Sequence, residues 1–413
     1  MDRELAFVEV TGTNGKTTTT SLIANIVACA GEVDARVTTL GSWVGGECLA
    51  ETTDTDAFTR CLSRAQERGA RTLCVETTSK ALAEGFAQHY PANVAVLTSF
   101  SRDHLDYHGS PEQYLAAKAQ LFMTLRDGGT AVFDADCEAA ALLEEVTPRS
   151  RRRAWFSLRA GCSRADLIAA RVVTERSGTR VELAPTPLGV ALGGELRLRL
   201  LGEAFVADAL AAALAAHALG YSPAAIRAGL ESFAGVPGRF QRVCEAPLVV
   251  VDYAHTPDAL EHSLRLARTL APAGRVLAVF GCGGERDRGK RPLMGRVAAE
   301  LADWVVLTND NPRSEDPTCI LQEIADGCRA AGAREEAADA LGRISELEPR
   351  AFIRIPSRGE AIGAALAALA NEDVVLIAGK GHEQVQWIGS EAHPCSDVAL
   401  AVQALEACGK MGP

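Results

Sequence analysis

Residues 12–18, Gly12-Thr13-Asn14-Gly15-Lys16-Thr17-Thr18, follow an apolar run at 6–11 and precede a stretch of helical length. That arrangement constrains the chain more than any other part of it. Glycines at both ends of a short strand-to-helix connection let backbone N–H groups turn inward and cradle phosphate oxygens. Lys16 adds a point charge for the outer phosphates, and Thr17 offers a hydroxyl to Mg²⁺. A helix beginning near Thr18 aims its positive end at the same anion. A tight turn that needs only glycine would not require Lys-Thr after it. The motif therefore predicts a nucleotide-binding α/β fold, and leaves open which reaction follows.

Elsewhere, short Val/Ile/Leu runs alternate with alanine-rich stretches of helical length, the pattern of parallel sheets. Strands are expected at 6–11, 73–76, 94–98, 248–252, 275–280, 304–308 and 373–378. Between about 152 and 200 the texture changes to alternating segments without helices, as at 180–183 and 195–200. This predicts a small antiparallel β insertion ahead of a helix near 207–219. With a boundary near Pro237-Gly238-Arg239 or a few residues beyond, the expected domains are 1–243, a P-loop ATPase domain, and 244–413, a Rossmann-like domain. Sheets of this kind place ligands at strand C-termini.

The 413 residues allow two or three domains, and a formal charge of -11 gives no electrostatic footprint for nucleic acid. The opening Met1-Asp2-Arg3-Glu4 has no signal-peptide layout, and no apolar run is long enough to span a bilayer. Twelve cysteines are scattered singly, without CxxC pairs, which reads as reduced thiols in a cytoplasmic protein with no membrane partner.

The wording of residues 12–18 resembles the Mur ligases and their relatives the folylpolyglutamate synthetases. Further matches follow in the family's order: Glu76 at a strand end, Asp103-His104-Leu105-Asp106-Tyr107-His108, and Tyr114-Leu115-Ala116-Ala117-Lys118. Later come Gly238-Arg239, Asp252-Tyr253-Ala254-His255-Thr256-Pro257-Asp258, Gly283-Gly284-Glu285-Arg286-Asp287 and Lys290-Arg291-Pro292. Asp310-Asn311-Pro312-Arg313 and Gly379-Lys380-Gly381-His382-Glu383 complete the series. The later motifs are similar to the MurE branch, which adds the third residue of the peptidoglycan stem peptide.

The resemblance implies an ATP-dependent ligase that turns a carboxylate into an acyl phosphate for attack by an amine. It implies ATP and Mg²⁺ as cofactors, with Lys16, Glu76, His104 and Lys118 catalytic. Thr17, Glu76, His104 and Lys118 would hold metal, the lysine after carbamylation, as in relatives. Oxygen ligands and an imidazole suit Mg²⁺ beside a triphosphate. Arg239 and Asp252 would hold the ribose and base of ATP. Thr78 and Ser79 lie where the carboxylate substrate is read. Arg291, Asp310, Asn311, Arg313, Gly379 and Glu383 resemble the pocket for the incoming amino acid. The Asp-Asn-Pro-Arg form is associated with diaminopimelate, whose second carboxylate an arginine can grip at two points.

The sequence also departs from the branch. Only eleven residues precede Gly12, so the domain that holds the uridine nucleotide in MurE is expected to be absent, or supplied by a partner protein. After Glu76 the chain reads Thr77-Thr78-Ser79-Lys80-Ala81-Leu82, where MurE has Ser-Ser-His-Gly-Leu. An arginine expected further on is replaced near Phe86. Two asparagines ahead of the helix near residue 207 give way to Phe205 and Asp208, and another to Ser99. These changes fall on the carboxylate-substrate side and predict an altered acyl substrate. True MurE activity with a partner remains open, as does a non-catalytic Mur-like binding subunit. A simple P-loop kinase or NTPase would leave the second half of the chain unexplained.

Overall fold

The computed structural model describes residues 5–51, 54–101, 103–344 and 348–410; the opening residues read for a leader lie outside them. The chain divides into two compact units, Met1–Gly235 and Val236–Pro413.

The first unit is built on one sheet of eleven strands. In chain order these are β1 (Ala6–Thr11), β2 (Ala35–Thr38), β3 (Gly41–Val44), β4 (Glu47–Ala50), β5 (Thr72–Glu76) and β6 (Val94–Leu97). They continue with β7 (Thr130–Asp134), β8 (Arg152–Ser157), β9 (Leu167–Glu175), β10 (Gly178–Leu183) and β11 (Glu195–Leu198). The spatial order is β11-β10-β9-β8-β7-β6-β1-β5-β2-β3-β4. β1 lies between parallel neighbours β5 and β6, with Val10 paired to Glu76 and Thr11 to Leu97. A central parallel strand is covered on both faces, which is why residues 6–11 read as a nearly continuous apolar run. The antiparallel segment expected after residue 152 forms β9 to β11, but it is no separate layer. β8 runs parallel to β7 and β9 parallel to β8, so the antiparallel strands extend the same sheet at its edge.

The second unit holds β12 (Gln241–Glu245), β13 (Leu248–Asp252), β14 (Val276–Phe280), β15 (Trp304–Leu307), β16 (Arg334–Glu335), β17 (Ala351–Arg354) and β18 (Val374–Ala378). Their order is β12-β13-β18-β14-β15-β17-β16. All pairings are parallel except β12 on β13. A hairpin of β19 (Val385–Ile388) and β20 (Glu391–Pro394) stands apart. The expected boundary at 243 would cut β12 in two. Because β12 pairs with β13, residues 236–243, Arg239 among them, belong to the second unit.

The loops after β13, β14, β15 and β18 all leave from the C-terminal edge of this sheet. Those after β15 and β18 are tied from below by a buried ion pair. Arg358 donates to both oxygens of Asp397 at 2.6 Å, to the Ala378 carbonyl at 3.0 Å and to the Asn309 carbonyl at 3.3 Å. Asp397→Ala would leave the Arg358 guanidinium buried without its counter-charge. It should destabilise the protein by about 3–5 kcal/mol in urea unfolding. A loss under about 1 kcal/mol would show that the pair is incidental.

Among the described residues, no helix is long and apolar enough to cross a membrane. All twelve cysteines are free.

Candidate active site

The phosphate loop forms where the sequence places it, between β1 and the helix Lys16–Cys29. Gly15 has φ 85°, a left-handed conformation that glycine adopts without strain. A Cβ at Gly15 would also lie 2.1 Å from Asp208 Oδ1, so both backbone and space require glycine. The loop is braced by the segment after β6. Thr13 N donates to the Ser99 carbonyl at 2.9 Å, and Asn14 N to Ser99 Oγ at 2.9 Å. Ser99 thus takes a structural part that the sequence did not suggest. Lys16 Nζ donates back to the carbonyls of Gly12 (3.1 Å) and Thr13 (2.8 Å), which holds the ammonium over the loop. Thr18 is buried on the helix.

Thr17 and Glu76, 59 residues apart, meet because β1 and β5 are neighbours: Thr17 Oγ1 donates to Glu76 Oε2 at 2.8 Å. Thr39, at the end of β2, joins the same oxygen through its N–H (2.9 Å) and its hydroxyl (3.2 Å). A buried carboxylate beside two hydroxyls is a set of hard oxygen donors, the chemistry Mg²⁺ requires. His104 stands apart from this group. It is exposed, with φ 51°, and its Nε2 lies 3.5 Å from Asp103. Among the described residues, no three His, Cys, Asp or Glu side chains converge as a metal cluster.

Lys118 is carried on the helix Pro111–Met123 and is 1% exposed. Its Nζ donates to the Gly12 carbonyl at 2.8 Å and sits 4.4 Å from the Tyr114 ring centroid. Burial first, and the Lys16 charge second, push its ammonium down to about 6. Thr78 and Ser79 are engaged internally. The Thr78 hydroxyl accepts from Ala81 N at 3.2 Å, capping the next helix, and Ser79 Oγ lies 2.9 Å from Nε2 of the buried His108. Neighbouring Thr77 donates to Glu9 at 3.1 Å, a fully buried carboxyl on β1 that burial pushes up to about 8.

In the second unit Arg239 lies over the Tyr253 ring at 4.3 Å, and Tyr253 also packs on His255 and His382. Such a group of rings and a cation suits a purine base. Asp252 is occupied by the chain itself, accepting from Phe240 N, from Ala254 N at 2.7 Å and from Ser263.

The loops after β15 and β18 are joined by Lys380. Fully buried, it donates to Asn311 Oδ1 (3.2 Å), Glu383 Oε2 (3.0 Å) and the Val385 carbonyl (2.7 Å). Asn311 Nδ2 donates to Glu383 at 2.8 Å. Burial alone would raise the Glu383 carboxyl, but Lys380 and Asn311 outweigh it and hold it below its usual range. Asp310 is buried next to Gly379, where a Cβ would come within 2.9 Å of its carboxylate. Arg313 has φ 53°, pairs by backbone with Trp387 and donates to the Gly284 carbonyl at 2.8 Å. No carboxylate pairs with it among the described residues. Arg291, expected beside it, is fully buried and engaged: Glu315 binds it at 2.9 and 3.0 Å, and Glu323 at 2.8 Å. Its guanidinium supports the Gly283 loop through a 3.1 Å bond to that carbonyl.

The first unit thus carries a phosphate loop backed by a Thr–Glu pair, and the second a buried Lys380–Asn311–Glu383 cluster; the family to which they belong is that of ATP-dependent ligases. Residues 10–216 match the Mur ligase middle domain, and residues 238–381 the Mur ligase glutamate ligase domain. The chain belongs to the Mur ligase family, and within it to the MurE-like ligases. It is 39% identical over 419 residues to the UDP-N-acetylmuramoyl-L-alanyl-D-glutamate–2,6-diaminopimelate ligase of Geobacter metallireducens, spanning 98% of this chain and 79% of that protein. The ligase of the same name from Pseudomonas syringae pv. tomato is 40% identical over 412 residues, with the same 98% and 79% coverage. A solved structure of such a diaminopimelate ligase superposes with a TM-score of 0.70 at 33% identity, over 98% of this chain and 78% of that one. Escherichia coli FolC, bound to DHPP and ADP, shares the fold at 22% identity and a TM-score of 0.65, over 97% and 89% of the two chains.

Proposed function

We propose that this ligase uses ATP to activate a carboxylate as an acyl phosphate and joins it to diaminopimelate, or to a close analogue with a second carboxylate. The observation that carries the acceptor is that Glu383, kept ionised by Lys380 and Asn311, and Arg313, which pairs with no carboxylate among the described residues, are both tied to the Asn311–Trp387 segment pair. The Glu383 carboxylate suits an ammonium, and the Arg313 guanidinium a distal carboxylate. Gly12, Thr13, Asn14, Gly15, Lys16, Thr17 and Thr18 hold the triphosphate, and Arg239 over Tyr253 offers a ring-and-cation surface within the second unit. Thr17, Glu76 and Thr39 would hold Mg²⁺, which supplies charge neutralisation to the phosphates when bound. His104 and a carbamylated Lys118 complete the metal set of this reading.

On the acyl side the proposal is a carboxylate read differently from that of the named relatives. Phe205 and Lys80 stand where the family has other residues, and Ser79 is tied to His108. Phosphate release with ATP and Mg²⁺ across a matrix of carboxylate donors and amino acids tests the whole reading. A non-catalytic binding protein would show no amine-dependent turnover.

Arg313→Ala should cost about 2–5 kcal/mol of transition-state stabilisation with diaminopimelate, read as kcat/KM. Equal use of lysine and diaminopimelate by the unmutated enzyme would contradict the assignment.

A further inference from the structure

Asp208 has no part in the ligase chemistry described above, yet it is built into the phosphate loop. It lies on the helix Glu203–Ala218 and is 6% exposed. Its Oδ1 accepts from the buried Thr19 hydroxyl at 3.2 Å and fills the space where a Cβ on Gly15 would stand. The carboxyl therefore lies against the backbone of the phosphate loop.

We propose that Asp208 governs nucleotide affinity as a carboxyl group that must stay protonated while the phosphates are bound; this rests on the ATP-binding reading above. An ionised carboxylate there would set a negative charge against the phosphates in a site with little water to screen it. A protonated one keeps a donor and an acceptor, the hydrogen-bonding capacity of an asparagine side chain.

Burial raises the Asp208 carboxyl to about 8, against smaller opposing effects from the Thr19 hydroxyl and the Lys16 charge. The helix also packs on β6 to β9 and on the helix Pro223–Ser232. Among the described residues, Lys16 is the charged group that acts on Asp208 through space. Incoming phosphates add negative charge and offset Lys16, so binding raises the carboxyl further. The sign follows from linkage: below its free-state value the group is already protonated and affinity is independent of pH. Above it, each nucleotide bound must bring a proton, and affinity falls about tenfold per pH unit.

Calorimetric titration of the whole chain with Mg·ADP, between about pH 7 and about pH 9.5, tests this. Buffers of different ionisation enthalpy read the proton uptake. Affinity should be level to about pH 8 and then decline, with uptake approaching one proton per nucleotide near pH 9. In Asp208→Asn both the decline and the uptake should vanish. A decline and uptake that persist in Asp208→Asn, or a wild-type affinity level throughout, would overturn the proposal. Absence of ADP binding at every pH would instead overturn the nucleotide-site reading, and this proposal with it.

Discussion

Lys16→Ala is expected to lower kcat/KM for ATP-dependent ligation by at least about a thousandfold, roughly 4 kcal/mol of transition-state stabilisation. The ammonium is already held over the loop by the Gly12 and Thr13 carbonyls, so its charge is placed before nucleotide arrives. Phosphoryl transfer depends on such fixed charge more than on covalent help from the protein, because charge spreads over the phosphate oxygens as the bond breaks. The fold should survive the change. Lys16 is partly exposed at the first turn of its helix, and alanine is a good helix former there. Phosphate release and far-ultraviolet circular dichroism on the same preparation are the measurements. Ordinary turnover by a folded Lys16→Ala protein would sink the ATP-site assignment.

Lys118→Ala is expected to abolish turnover to a similar degree, with partial recovery when short carboxylic acids are added. Only a neutral amine can attack CO₂ to form a carbamate, and the burial that pushes the Lys118 ammonium down supplies one near neutral pH. Carbamylation would replace a neutral amine with an anionic carbamate, whose hard oxygens suit Mg²⁺. Formate or acetate entering the space left by the lysine side chain would provide that carboxylate without the covalent bond. ¹³C-bicarbonate labelling with NMR detection, beside the rescue assay, reads the modification directly. An active enzyme with an unmodified Lys118 would remove the carbamate from the mechanism.

The parts of the site legible in the sequence are those carried on contiguous residues. The phosphate loop announces itself because glycines, lysine and threonine lie side by side between a strand and a helix. Glu76 is legible as a strand end, and the Asp310–Arg313 turn as a motif. What stayed hidden depends on strand order. Thr39 joins Glu76 only because β2 lies next to β5, and Asp208 reaches Gly15 from almost two hundred residues away. Arg291 shows the converse: its motif suggested a substrate contact, while Glu315 and Glu323, supplied by later segments, occupy it in the fold. Lys380 stood within a quoted motif, but nothing in one dimension shows that its three partners come from two different loops and a hairpin strand. The change of texture after residue 152 was visible as well. Its continuity with the main sheet was not, because parallel pairing of β7, β8 and β9 leaves no local signature.

The three bonds of the Lys380 ammonium have a consequence for how acceptor preference can change over evolutionary time. They cross-link the loop carrying Asn311 to that carrying Glu383 and to the first strand of the hairpin. Walls already fastened together lose little freedom when a small molecule arrives, so little of its intrinsic affinity is spent on ordering them. Residues of the proposed acceptor site that lie outside these three bonds, such as Arg313, can then be exchanged without loosening the frame. On the proposed reading, a lineage could thus switch from one amine to another by substituting a single such residue, while the frame stayed as it was.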